Sequence, residues 1–327
     1  MSQSSAHKAP KVSIIVPFLN AEATIARCVR SLMNQTMKDF EVIFVNDGSR
    51  DNSFAILNET LLNYPDRIDH THVLYYTYRQ GVAKAHRAGA ARATGEYVMR
   101  VDADDTLPCD ALQLLLSIAV ATVAEIVMGR FCRVFAKKTK VGKIDAHYPD
   151  INKMALIVDN YSMCNKIVRR SLLTDNNIEV MPEIDCWDDL TLTARAFALS
   201  RNSQRIDDVV YNYYITPGAK NVSHSDKDTQ LRQHLLAALY LEKWFVTQFP
   251  DDRYTPFLNQ LKLIAKVKYL RGRNKEVELW KTTFPEVNRR IMSITPVKLH
   301  YRLAFWLTAK LPTRITQSIA NLLSPRH

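Results

Sequence analysis

Residues 12–20 read VSIIVPFLN, a short run of mostly β-branched residues followed by Pro17. A continuous apolar run such as Val12 to Val16 is typical of a strand buried on both faces of a parallel sheet. The next segment, Glu22 to Asn34, places its apolar residues at helical spacing, and a second apolar run follows from Phe40 to Val45. Strand, helix and strand in this order predict a parallel β-α-β unit.

The alternation continues through the first half of the chain. A third strand is predicted near His72 to Tyr78, a helix from Val82 to Ala93, and a fourth strand from Tyr97 to Val101. We therefore expect an α/β fold in which a mostly parallel sheet is flanked by helices. Ligands of such sheets bind beyond the carboxyl ends of the strands, so we look for functional residues there.

The last third of the chain has a different composition. Residues 226–327 carry 18 Lys or Arg and 8 Asp or Glu, whereas residues 1–225 carry 26 and 25. Helical spacing replaces the strand pattern from about Asp226 onward. We expect three parts: a flexible lead over 1–10, an α/β domain over 11–225, and a basic helical C-terminal extension over 226–327.

Composition excludes several classes of protein. The five cysteines are scattered and form no C-x-x-C pair, so neither a zinc site nor a disulfide framework is indicated. Residues 1–10 lack the apolar core of a secretory signal. The apolar stretch from Ala111 to Met128 contains Gln113 and Glu125, which favours a helix followed by a strand over a membrane span. We expect a cytoplasmic protein without a transmembrane helix.

An acidic cluster follows the fourth predicted strand at Asp102, Asp104 and Asp105. In an extended chain residues i and i+2 face the same way, so Asp102 and Asp104 are expected to converge. Converging carboxylates repel one another unless a cation joins them, which predicts a hard divalent ion that also binds substrate phosphates. The alternative is a solvated acidic turn that caps the helix starting near Pro108.

Several separated motifs occur in one order along the chain. They are VSIIVPFLN at 12–20, VNDGSRDNS at 45–53, GAARATGEYVMRVDADD at 89–105, NKIVRRSLL at 165–173 and WDDL at 187–190. Over residues 11–225 the chain resembles the family 2 inverting glycosyltransferases, which have the Rossmann-like GT-A fold. The resemblance implies metal-dependent transfer of a sugar from a nucleotide-diphosphate sugar, with a UDP-sugar favoured. It also implies a saccharide or lipid-linked acceptor in surface-polysaccharide biosynthesis.

The resemblance implies that the nucleoside of the donor binds at the carboxyl ends of the first two predicted strands. It implies that Pro17, Asn20, Glu22 and Asp47 line the nucleoside pocket, with Asp47 on the base and Glu22 near the ribose. The local sequence alone favours the alternative that Asp47 is the turn aspartate of an Asp-Gly pair with Gly48.

The resemblance also implies the catalytic residues. Asp102 and Asp104 would hold Mn²⁺ or Mg²⁺ and the diphosphate, with Asp104 favoured as the direct metal ligand. Asp189, beside Asp188, would be the general base that deprotonates the acceptor hydroxyl. The alternative for Asp188 and Asp189 is an acidic first helical turn, which the helix dipole favours.

The chain departs from the family pattern at two places. Ala85-His86-Arg87 stands where the family reads A-R-N, so the contact made by the asparagine is lost or replaced. Asp188-Asp189 replaces the usual Glu-Asp pair, which shortens the first carboxylate. Lys84, with His86 and Arg87, could supply cations to the diphosphate, and a solvated helix face is the alternative.

The basic extension mixes cations with apolar and aromatic residues over 257–275 and again over 298–307. This composition predicts contact with an anionic membrane surface through residues 257–310 and a peripheral location at the inner face of the cell membrane. The alternative is that these helices pack on the rest of the protein. We expect no nucleic-acid partner, since no nucleic-acid-binding module is recognisable.

Two other functions are compatible with an α/β nucleotide-binding domain. A sugar-nucleotidyltransferase would carry a Gly-rich basic loop after the first strand, but residues 17–20 contain neither glycine nor lysine. A non-catalytic nucleotide-sugar-binding scaffold, recruited through its basic tail, would not need Asp189. Loss of transfer on replacing Asp189 discriminates the enzyme from the scaffold.

Overall fold

The structure is a computed structural model of the 327-residue chain that divides into two compact units. It describes residues 9–142, 148–156, 158–215, 226–270, 276–313 and 315–316. The first unit comprises Met1–Ile144 with Tyr161–Ala219, and the second Asp145–Asn160 with Lys220–His327. The sequence predicts one domain boundary near residue 225. In the structure, the short segment 145–160 also belongs to the second unit. Residues 1–8 of the expected flexible lead lie outside the described residues.

The first unit contains, among the described residues, an eight-stranded sheet. Its strands are β1 (Val12–Phe18), β2 (Phe40–Asn46), β3 (Thr71–Tyr75), β4 (Tyr97–Arg100), β5 (Ile126–Phe135), β6 (Lys138–Val141), β7 (Lys166–Arg169) and β8 (Ser203–Ile215). The spatial order is β3-β2-β1-β4-β7-β5-β6, and β8 pairs with β5.

Helices connect and cover these strands. They are α1 (Ile25–Met33), α2 (Ser53–Leu61), α3 (Val82–Arg92), α4 (Ala111–Thr122), α6 (Arg170–Thr174) and α7 (Asp188–Leu199). The short helix α5 (Val158–Tyr161) belongs to the second unit except for Tyr161. The apolar face predicted for the first helix is buried, because Ile25, Cys28 and Leu32 of α1 lie in the core together with residues of β1 and β2.

Parallel pairing places three strand ends at one edge of the sheet. β1 runs parallel to β2 and to β4, and β2 runs parallel to β3. Every residue of β1, β2 and β4 is buried, as expected of strands covered on both faces. The antiparallel strand β7 separates β4 from β5, so the sheet is mixed beyond β4. The expected α/β architecture is confirmed. The segments just after β1, β2 and β4 carry Asn20, Asp47 and Asp102, respectively.

The second unit is helical, which confirms the predicted C-terminal extension. Its helices are α8 (Lys227–Gln248), α9 (Thr255–Lys266), α10 (Val277–Thr282), α11 (Pro285–Arg290) and α12 (Leu299–Lys310). Trp280 of α10 is fully buried in a core with Leu263 of α9 and Val287 of α11. None of the helices that the structure describes is long and apolar enough to cross a bilayer.

The prediction that residues 257–310 contact a membrane surface is wrong for helix α9. Helix α9, in the basic stretch 257–275, is a core helix whose Lys262 and Lys266 are buried. Lys262 Nζ lies 2.5 Å from a carboxylate oxygen of Glu242 and 2.7 Å from one of Glu286. These cations therefore have partners inside the unit, and α9 does not present them to a lipid surface. Residues 271–275 lie outside the described residues.

The buried Lys266 gives the second unit a pH-dependent stability. Its Nζ donates to the carbonyl of Thr283 and the side chain of Asn288, and burial lowers its pKa to about 7. Between about pH 7 and pH 10 the unfolded chain then binds more protons than the folded chain, so stability rises with pH by up to about 1.4 kcal/mol per unit. We expect Lys266→Met to remove this rise in urea denaturation, and the exposed-lysine control Lys243→Met to keep it. An unchanged slope in Lys266→Met would contradict the burial of a neutral lysine.

Candidate active site

A buried arginine connects the two acidic motifs. Arg100, the last residue of β4, donates from Nε to Asp102 Oδ1 at 2.9 Å. Its Nη1 donates to Asp188 Oδ2 at 2.6 Å and to Asp189 Oδ1 at 3.0 Å. One guanidinium thus joins the loop after β4 to the first turn of α7. Sequence reasoning missed Arg100, although a charged residue inside an apolar buried strand was a signal that it must be paired.

The charges at this junction balance one another only in part. Burial disfavours the charged guanidinium, but the neighbouring carboxylates outweigh burial and hold the pKa of Arg100 well above its ordinary value. Burial raises the pKa of Asp188 to about 7, against the opposing effect of Arg100. Three carboxylates share one cation, so the cluster keeps an excess of negative charge.

Asp188 and Asp189 differ in their access to solvent. The side chain of Asp188 is 8% exposed, whereas that of Asp189 is 23% exposed. Both lie in the first turn of α7, where the helix dipole favours negative charge. The side chain of Asp189 accepts the hydrogen bond from Arg100 at Oδ1, and no bond to its Oδ2 is formed within the described residues. Asp189 is the better placed of the two to exchange a proton with a bound hydroxyl.

Asp105 has a structural place in the acidic loop. It is fully buried, and its two oxygens accept hydrogen bonds from the Tyr211 hydroxyl at 2.7 Å and the Tyr214 backbone N–H at 2.8 Å. The Tyr211 hydroxyl also accepts from the backbone N–H of Asp102 at 3.1 Å. Strand β8 therefore fixes the loop through Asp105 and through the backbone of Asp102.

Asp102 and Asp104 suit a metal ion that has further ligands from a substrate. Asp102 Oδ2 lies 3.7 Å from Cys164 Sγ, and Asp102 Oδ1 accepts a hydrogen bond from Arg100 Nε. The Asp104 side chain is half-buried. No group of three or more His, Cys, Asp or Glu side chains within the described residues could hold a metal by itself. Mg²⁺ commonly takes one or two protein carboxylates and completes its shell with water and phosphate. The two aspartates therefore fit an ion shared with a diphosphate.

The predicted nucleoside residues interlock the first two loops. Asn20 Oδ1 accepts the backbone N–H of Arg50 at 2.9 Å, and Glu22 Oε2 accepts that of Asn52 at 3.1 Å. The loop after β1 is thereby tied to the loop after β2. Pro17 is buried near the end of β1, just before the first of these loops.

Asp47 organises the entrance to α3. It is 3% exposed, and its oxygens accept the backbone N–H groups of Gln80 at 2.7 Å and Gly81 at 3.0 Å. A Cβ at Gly48, whose φ is +78°, would lie 2.5 Å from the backbone of Tyr78. The loop 78–81 therefore packs directly on the end of β2, and each Asp47 oxygen retains one acceptor site beyond these bonds.

The three basic residues of α3 do not form one cationic group. His86 is buried, and burial together with the charge of Arg100 lowers its pKa to about 3. The expectation that His86 supplies a cation is therefore wrong, because its imidazole is neutral. Arg87 forms an ion pair with Glu179 at 2.5 Å, and Lys84 is exposed. Neither His86 ring nitrogen has a hydrogen-bond partner within the described part of the chain.

Comparison with known proteins agrees with this geometry. A family model described as Glycosyl transferase family 2 matches residues 13–176. The poly(ribitol-phosphate) beta-glucosyltransferase of Bacillus spizizenii is 28% identical over 216 residues, which are 65% of this chain and 33% of that protein. The chain therefore spans about a third of the length of this curated relative.

Two solved structures share the fold. Residues 1–349 of S. aureus TarS in complex with UDP match with a TM-score of 0.65 and 19% identity, over 97% of this chain and 93% of that one. Mannosyltransferase PcManGT from Pyrobaculum calidifontis, in complex with GDP-Man and Mn²⁺, matches with a TM-score of 0.56 and 16% identity, over 96% and 86%. The expected GT-A fold is thus confirmed.

Replacing Arg100 tests whether the carboxylates depend on its charge. We expect Arg100→Leu to lower the free energy of unfolding by about 3–5 kcal/mol near neutral pH, because the buried Asp188 loses its cation. Without Arg100 the folded-state pKa of Asp188 rises further, so the stability loss grows as pH rises through neutrality and shrinks in acid.

Denaturant unfolding at acidic and at mildly alkaline pH measures this effect. The matched control is Arg130→Leu, which breaks the exposed ion pair with Asp207 and should cost less than about 1 kcal/mol at either pH. Equal and pH-independent losses in the two variants would contradict the role given to Arg100.

Proposed function

Because the chain belongs to glycosyl transferase family 2, we propose that it transfers a sugar from a nucleoside-diphosphate sugar to an acceptor hydroxyl with inversion. The observation that carries this proposal is the contact of one guanidinium with both Asp102 and Asp189. That contact puts the candidate base beside the loop that would hold the diphosphate. The proposed catalytic domain is the α/β region within residues 11–225.

The proposed donor is a UDP-sugar. Support comes from S. aureus TarS, which has this fold and was crystallised with UDP. Asp47 would accept an N–H of the base through its remaining acceptor sites, and Pro17, Asn20 and Glu22 would line the nucleoside pocket. Their hydrogen bonds between the first two loops hold that pocket in shape before the donor arrives. Lys84, exposed on α3, is the proposed cation for the diphosphate.

Asp189 is the proposed general base. Its carboxylate takes the proton of the acceptor hydroxyl as the hydroxyl oxygen attacks the anomeric carbon. The bond between that carbon and the diphosphate oxygen breaks, and the bonding electrons leave with the nucleoside diphosphate. Arg100 holds Asp189 through Oδ1, while the more buried Asp188 shares the same cation.

A divalent ion belongs to this proposal. Asp104, with Asp102, would hold Mn²⁺ or Mg²⁺, and PcManGT, which shares the fold, was crystallised with Mn²⁺. When bound, such an ion supplies positive charge to the leaving diphosphate. The protein's own part is to orient Asp102, which it does through Arg100, and to hold the loop, which Tyr211 and Tyr214 do through Asp105.

The acceptor is proposed to be a saccharide or lipid-linked chain of a bacterial surface polysaccharide. The name of the Bacillus spizizenii relative describes glucosyl transfer to a polymer of ribitol phosphate. The present chain covers about a third of that protein, so the acceptor of this chain is inferred only as a class. Such acceptors are assembled at the cytoplasmic face of the cell membrane, where we place this protein as a peripheral enzyme.

Replacing the base separates transfer from binding. We expect Asp189→Asn to lower the rate of UDP release from the preferred UDP-sugar by roughly 10²–10⁴-fold, the usual contribution of a general base. UDP binding should stay within a few fold of the wild type, because an amide keeps the shape of the side chain. The exposed-carboxylate control Asp207→Asn should retain full activity. Undiminished UDP release by Asp189→Asn would favour the non-catalytic scaffold or another reaction.

Thermal shift tests the donor and the metal together. A ligand that binds only the folded state at a hundredfold excess over its Kd adds about 2.7 kcal/mol of stability. We expect UDP with Mn²⁺ to raise the Tm more than either alone, and more than GDP with Mn²⁺. Asp104→Ala should abolish the Mn²⁺-dependent part, whereas the control Asp110→Ala, an exposed aspartate, should keep it. Failure of every nucleotide to stabilise the protein would overturn the proposed function.

A further inference from the structure

Helix α12 is apolar on two opposite faces. Its twelve residues read LHYRLAFWLTAK, and its inner face packs Phe305 and Ala309 against the core of the second unit. The Phe305 ring lies 5.5 Å from the ring of the buried Trp280. This packing fixes the orientation of α12 and thereby defines which residues form its outer face.

The outer face carries large apolar side chains at helical spacing. Leu299 is 55% exposed and Leu303 is 44% exposed, while Trp306 and Leu307 are each 36% exposed. Positions i, i+4, i+7 and i+8 lie on one side of a helix, so these residues form a continuous outer stripe. Large apolar side chains exposed together on one face of a helix indicate that a further apolar phase covers this stripe.

The chain around α12 carries mainly positive charge, and the nearest acidic side chain given by a contact is Glu278 of α10, which accepts from Thr313 just beyond the helix. From Val287 to His327 the sequence contains seven Lys or Arg and no Asp or Glu. Lys298 and Lys310, at the two ends of α12, are exposed, as are Arg289 and Arg290 nearby in the chain. A partner that covers the stripe must therefore be apolar in the centre and negatively charged at its edge.

Self-association fits this surface poorly. In a two-fold dimer the same patch of each copy faces the other, so the cations that border one stripe would face those of the second. Like charges placed opposite one another oppose association. An anionic membrane has no such conflict, because its headgroups carry the opposite charge and its acyl chains accept the apolar side chains.

We propose that the outer stripe of α12 inserts into the headgroup region of an anionic membrane. Twelve residues make a helix of about 18 Å, shorter than the ~30 Å hydrocarbon core, so α12 would lie in the plane of the surface. Leu299, Leu303 and Leu307 enter the acyl boundary, Trp306 lies at headgroup depth, and Lys298 and Lys310 bind lipid phosphates. This inference does not depend on the proposed transfer reaction, and it assigns membrane contact to α12 and not to the buried α9.

Vesicle co-sedimentation of the full chain tests the proposal. The vesicles are phosphatidylcholine alone, or phosphatidylcholine with about one-third phosphatidylglycerol, at physiological ionic strength. The test variant is Leu303→Glu with Trp306→Glu, and the charge-matched control is Leu62→Glu with Val120→Glu, at exposed sites of the first unit. Circular dichroism and the Tm verify that each variant is folded, and light scattering gives the oligomeric state.

The expected result is sedimentation of the wild type and the control with anionic vesicles but not with neutral ones. The test variant should stay in the supernatant while folded, and Lys298→Ala or Lys310→Ala should each weaken binding about fivefold. Equal binding by the test variant and the wild type, or no vesicle binding by the wild type, would overturn the proposal. A wild-type dimer that the test variant turns into a monomer would overturn it in favour of self-association.

Discussion

The contact of Arg100 with three carboxylates is the interaction on which the candidate site depends. Asp102 lies after β4 and Asp188 and Asp189 begin α7, and these elements are far apart in the sequence. Without a shared cation, the buried Asp188 would be uncompensated and the two acidic motifs would repel one another. A guanidinium suits this position because its planar fork can donate to several carboxylates at once and stays charged when buried.

The same contact has a consequence for the metal. Arg100 already neutralises part of the charge of Asp102, and both oxygens of Asp105 accept hydrogen bonds from Tyr211 and Tyr214. Within the described ranges, no three His, Cys, Asp or Glu side chains come together around one point that could hold an ion. In our proposal the ion binds together with the donor diphosphate, so metal and donor would each strengthen the binding of the other.

The positions of the central strands and of the polar residues that follow them could be predicted from the sequence. Buried parallel strands consist of continuous apolar runs, and the segments after their carboxyl ends are polar. β1, β2 and β4 lie where the runs at Val12, Phe40 and Tyr97 predicted them. The roles of Asp102, Asp104 and Asp189 remain proposals, although the structure joins Asp102 and Asp189 through Arg100. Arg100 itself was visible only as a charge in an apolar strand, and its partners come from a helix 88 residues away.

The errors have a common physical cause. Lys262 and Lys266 look like membrane-binding cations, but Glu242 and Glu286 pair with Lys262 in three dimensions, at distances along the chain that composition does not reveal. His86 looked like a cation for the diphosphate, but burial beside Arg100 keeps it neutral. In each case the local sequence gives the residue type, whereas tertiary packing decides whether its charge is exposed, paired or lost.

Proton NMR of donor cleavage tests the central claim most directly, because it needs no knowledge of the acceptor. The protein is incubated with an α-linked UDP-sugar and Mn²⁺, with water as the acceptor, and the anomeric signals are followed from the first minutes. Inverting transfer predicts that UDP forms and that the released sugar appears first as the β anomer. Release of the α anomer would contradict a single displacement assisted by Asp189. No UDP from any UDP-sugar or other nucleotide-sugar tested would contradict the assignment as a glycosyltransferase.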